Sequence, residues 1–191
     1  MNPTPAAENL ALAAMRDVVV FWNVGERSVA DIIYAACDLL VAGIDGPALR
    51  ELAAVPIDEI ESEDSLRLEH LLEFGVPLSA ALDELGLSFP PRYSDAAECE
   101  ALSAMAARAV AGTITPAVLA DWAHTTFSHD GAGGRLSFLH DDYTLLDYNG
   151  NTTEDVDAEV MAEARRIVAH NENTPGPTGP GVLRRSMNQW W

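Results

Sequence analysis

Seven apolar residues between Ser28 and Gly43 (Val29, Ile32, Ile33, Ala36, Cys37, Leu40 and Val41) recur at helical steps of three and four. That spacing gathers them on one face of an α-helix and scatters them over both faces of a strand, so only a helix buries them together. Ser28 suits the N-cap, Asp31 the positive first turn and Gly43 the stop, which predicts a helix over 28–42. Asp31, Tyr34 and Asp38 fall on its other face.

Similar patterns run along most of the chain. Residues 6–22 begin Ala- and Leu-rich, and a helix is expected, although their end, Val18-Val19-Val20-Phe21-Trp22, is β-branched and aromatic and fits a strand as well. Pro47 introduces a short helix over Ala48–Val55, stopped by Pro56. Gly75 and Pro77 are expected to interrupt before another turn or two at Ser79–Leu85. Phe89-Pro90-Pro91 reads as a connector and marks a possible subdomain boundary near 87–93. Ser94 caps a helix to Val110 with Cys99, Leu102, Met105, Ala106 and Ala109 inward. Thr115-Pro116 opens the next, to about Phe127, with Leu119, Trp122 and Ala123 inward. Residues 128–135, SHDGAGGR, read as a flexible loop, Leu136–Tyr148 stays open between helix and extended chain, and Asn149-Gly150 signals a turn. Thr153 is expected to cap a last helix over Glu154–His170, with Val156, Val160, Ala164, Ile167 and Val168 as its buried stripe. The fold expected is all-α: a compact bundle of about six or seven helices over 1–170, then a disordered Pro/Gly-rich tail over 171–191.

Charge limits the partners. There are 30 acidic residues against 11 basic ones, all Arg, for a net charge of −19. A field of that sign repels nucleic acid and anionic membrane and attracts a basic protein partner. Scattered Arg cannot neutralise a phosphate backbone, so no nucleic acid is expected. Hydrophobic residues make up 48% of the chain, enough for a core, so the acidity is not a signature of disorder. The absence of an 18-residue apolar run argues against a membrane span, and Met1–Glu8 lacks the basic and apolar regions of a secretory signal. Cys37 and Cys99 make no disulfide framework and read as small core residues. A cytoplasmic location is the expectation.

Two stretches carry a resemblance. AACDLLVAGIDGPALRELAAVP, with LDELGLSFPP downstream, and RAVAGTITPAVLADWAH together resemble an uncharacterised family of small acidic actinobacterial proteins. The closing acidic-to-Arg helix at 154–168 extends the likeness over about residues 28–168. The shared features are helix caps and core spacings. What the resemblance implies is therefore an all-helical fold, with no activity attached.

Candidate chemistry is sparse. His124, His129, Asp130, His140, Asp141 and Asp142 crowd into residues 124–142, and such side chains bind divalent metals and activate water. His124 and His129 are five apart, not the i, i+4 of a helical metal pair, so polar loop ends flanking a Gly turn is the plainer reading. Gly131-Ala132-Gly133-Gly134-Arg135 can be drawn as a phosphate cradle, but it is no Walker loop. Asp31 with Asp38 as an acid/base pair, or Cys37 as a nucleophile, loses to a solvated face and a core position respectively.

The acidic run holding Asp58, Glu59, Glu61, Glu63 and Asp64 is the candidate docking face for a basic partner. Arg184, Arg185, Trp190 and Trp191 in the tail form a candidate linear motif, because Trp and Arg dominate binding hot spots. The leading expectation is a non-enzymatic acidic protein-interaction module of immunity or regulator type, with no cofactor, metal or catalytic residue assigned. A small metal-dependent hydrolase using the cluster at 124–142 competes with it, as does a carrier whose Trp-ended tail is the functional peptide.

Overall fold

The computed structural model describes residues 4–57, 68–127, 129 and 131–173. Among them the chain is helical, with no strand. The elements are α1 (Pro5–Asn23), α2 (Val29–Val41), α3 (Pro47–Ala53), α4 (Leu68–Glu84), α5 (Asp95–Val110), α6 (Pro116–Thr126), α7 (Gly134–Thr144), the single turn α8 (Leu146–Asn149) and α9 (Thr153–Asn173). Asp58, Glu59, Glu61, Glu63 and Asp64 lie outside the described residues, as do Arg184, Arg185, Trp190 and Trp191.

The apolar side chains divide between two clusters. Met15, Val19 and Trp22 of α1 join α2, α3 and the second half of α4 in one. Val20 and Phe21 of α1 join α5, α6, α7 and α9 in the other. Each group of α1 residues faces its own cluster, so a segment that is apolar all round stays helical. This settles the open end of the 6–22 segment. Phe89, in the connector, packs against both clusters. An Arg108–Asp17 ion pair ties α5 to α1, and the Arg108 guanidinium lies 4.6 Å from the Phe21 ring centre.

Several expectations need correction. α4 runs through Gly75 and Pro77 without a break. An interior proline costs a helix about 3 kcal/mol, and burying Leu78 and Ala81 in the first cluster offsets much of it. Cys99 is exposed and Cys37 only half-buried, because Ala97 and Ala101 take the inward positions of α5 and the smaller Ala35 and Ala36 those of α2. Val41, at the end of the α2 stripe, is 85% exposed because the helix ends there and the chain turns away through Gly43. Thr152, not Thr153, caps α9: its Oγ1 accepts from Asp155 N–H at 3.2 Å while the Asp155 carboxylate accepts from Thr152 N–H at 3.0 Å. α9 also runs on to Asn173, so residues 171–173 are helical. Gly134 and Arg135, placed in a loop by the sequence, begin α7, and the ambiguous 136–148 segment is mostly helix.

Candidate metal centre

α6 and α7 form a helical hairpin around a short glycine-rich return. Thr115 caps α6 by accepting from Val118 N–H, and Pro116 takes the first helical position. Leu119, Ala120 and Ala123 bury one face of α6 in the second cluster, against Leu136 and Leu139 of α7. The tight return is held by Gly134 N–H donating to Gly131 O at 3.0 Å and by Ala132 N–H donating to the Glu98 carboxylate at 3.4 Å. Those bonds occupy two of the amides of residues 131–135, and Arg135 is engaged with Glu159 of α9 at 2.6 Å.

The polar residues of this hairpin meet at one place. His124 and Asp121 sit three apart on α6, His140 and Asp141 are adjacent on α7, and His129 comes from the return. His129 Nε2 is 3.0 Å from Asp141 Oδ2, and His124 Nδ1 is 3.9 Å from Asp141 Oδ1. One donor atom from each of His124, His129 and Asp141 lies within 4.8 Å of the others. Two ligands of one zinc ion, each about 2.0–2.2 Å from it at a tetrahedral angle, stand roughly 3.4 Å apart. The distances from His129 to one Asp141 oxygen and from His124 to the other are of that order. The side chains are 34%, 40% and 42% exposed, so a bound ion is reachable from solvent.

His124 is the informative member. Its Nδ1 is buried and makes no hydrogen bond, although it looks toward a carboxylate oxygen. A buried ring nitrogen without a partner costs free energy unless something fills the gap. The rings around it fix its orientation: His140 stacks on His124 at 4.4 Å, and His129 meets it edge-on at 5.1 Å. His140 Nδ1 is 3.8 Å from Asp121 Oδ1, so the stacked partner has its own carboxylate beside it.

Of the six residues the sequence grouped, the structure unites His124, His129 and Asp141 as donors with His140 beside them. Asp142 is outside the donor group, and Asp130 lies outside the described residues. Asp121 was missed, although its i, i+3 relation to His124 placed it on that face of α6. The other sequence candidates are engaged in structure. Asp31 accepts from Ser28 N–H at 2.8 Å in a capping box, and Cys37 Sγ lies 3.9 Å from Ala53 O. No helix among the described residues is long and apolar enough to cross a membrane. Comparison with protein-family models, curated proteins and solved structures finds no match to this chain.

Proposed function

We propose that this protein binds a divalent transition-metal ion of the zinc type through His124, His129 and Asp141, and uses it to activate water for hydrolysis. The observation that carries the reading is the partnerless Nδ1 of His124 facing the Asp141 carboxylate at 3.9 Å, with His129 on the same carboxylate. Two imidazoles and a carboxylate are a ligand set that zinc accepts. Three protein ligands leave a fourth position for water, the arrangement of catalytic rather than structural zinc. His140, stacked on His124 and beside Asp121, orients the ligand ring from behind.

The test is equilibrium dialysis of the full chain against zinc sulfate, followed by elemental analysis, with cobalt(II) absorption to report geometry. One zinc per chain and a tetrahedral cobalt spectrum are expected. His129→Ala and Asp141→Asn should each weaken binding by about tenfold or more, and the loaded protein should cleave 4-nitrophenyl acetate faster than His129→Ala does. Failure to bind zinc stoichiometrically would sink the proposal, whereas binding without hydrolysis would remove only its catalytic half.

A second reading rests on a separate observation, the net charge of −19. In it the protein docks a basic protein partner through its acidic surface. Co-purification at low and high salt tests this, since an electrostatic complex dissociates as salt rises. A partner retained equally at both salt levels counts against it.

A further inference from the structure

A cavity of about 330 Å³ opens beside the C-terminal end of α1, and it shares no residue with the His/Asp cluster. Its apolar wall comes from Val19, Trp22, Leu78, Leu82, Leu87 and Phe89. The polar side of the lining includes Asn23 and two charged residues of opposite sign, Arg92 and Asp83. The volume lies at the small end of the range for ligand pockets.

Arg92 is set apart by its surroundings. Arg50, Arg108, Arg135 and Arg166 each pair with a carboxylate. Arg92, like Arg16, Arg27 and Arg165, is in no ion pair among the described residues. Its guanidinium instead lies between two rings, 4.4 Å from the centre of Trp22 and 4.5 Å from that of Tyr93. Only Nε is committed, donating to Trp22 O at 3.0 Å. Capping the end of α1 accounts for that bond and leaves both terminal nitrogens over. A stacked guanidinium with its planar fork free is a preorganised receptor for a carboxylate.

The backbone holding it is strained. Tyr93 has φ = 58°, in the left-handed region that a bulky L-residue rarely adopts. Its N–H donates to Asn23 O at 2.8 Å, and Asn23 Nδ2 donates to Pro90 O at 3.3 Å, so the loop is clasped to α1. Strain sustained by such contacts is a mark of ligand clamps. Asn23 is 3% exposed and a rare buried polar residue, and no donor among the described residues reaches its amide oxygen. That oxygen and the Asp83 carboxylate supply acceptors for an ammonium group.

We propose that this cavity binds a free amino acid with an apolar side chain, its carboxylate on Arg92, its ammonium on Asp83 and Asn23, and its side chain against the apolar wall. The test is isothermal titration of the full chain with L-leucine and L-phenylalanine, with 4-methylpentanoate and 3-methylbutylamine as half-molecules. At least one amino acid should bind with unit stoichiometry, and both half-molecules about tenfold more weakly or worse. Arg92→Gln should lose the affinity. Gly75→Leu provides a variant in which the fold is kept, because Gly75 lines the cavity and a Cβ there meets nothing within 4 Å. It should block binding while circular dichroism and the melting temperature hold. No binding of either amino acid, undiminished binding to Gly75→Leu, or equal binding of 4-methylpentanoate would each overturn the proposal.

Discussion

Tyr143 shows how one side chain ties stability to pH. Its hydroxyl donates to Asp157 Oδ1 and joins α7 to α9. Burial first, and the Asp157 carboxylate second, push its phenol well above the ordinary tyrosine value of 10.0. In the unfolded chain the phenol loses its proton near that ordinary value, while the folded one keeps it. The contribution is therefore complete below about pH 10 and is lost as pH rises beyond it. Tyr143→Phe should lower stability by about 1 kcal/mol at neutral pH. In urea titrations the gap between variant and parent should hold up to about pH 9 and narrow as pH rises through and beyond about 10. A gap that widens there would contradict the pairing.

Among the elements, the α6–α7 hairpin carries the proposed zinc site, and its glycines are placed by contact. A Cβ on Gly134 would run into the backbone carbonyl of His129, which has to shift, whereas one on Gly133 would meet the Phe127 ring at 2.9 Å. Gly134→Ala should thus displace His129 and weaken zinc binding by about tenfold. Gly133→Ala should cost about 1 kcal/mol of stability through overpacking and leave zinc affinity nearer the parent. Competition titration with a zinc chelator, beside urea melts of both variants, checks the contrast, and equal affinities would deny His129 its role. In the sequence, caps and period made α2, α5, α6 and α9 legible, because each has a local start signal and one apolar stripe. The five residues from His124 to His129 cross the end of α6, so the helical period does not describe their relation. His129 comes from the return and Asp141 from the next helix, so no local spacing encodes their meeting with His124.

For the whole molecule, charge and core act in opposition. With a net charge of −19, self-repulsion opposes compaction, and salt screens it over about 10 Å at 0.1 M. Raising sodium chloride toward about 0.5 M should lift the melting temperature by a few degrees, on the scale of about 1 kcal/mol; a fall would show that specific ion pairs outweigh the general repulsion. The core resists through close packing: Leu119→Ala removes a fully buried side chain and should cost about 2–5 kcal/mol by urea titration. By itself the sequence determined the all-α class, most helix starts and the sign of the electrostatic field, since periodicity, caps and net charge are local or additive properties. Only the tertiary structure decided that α1 buries two faces, that α4 passes through Pro77 and that Cys99 is exposed. It alone brought His124, His129 and Asp141 together, and Arg92 against Trp22. Each of these depends on what packs opposite a residue, and contacts between residues far apart in the chain leave no period to read.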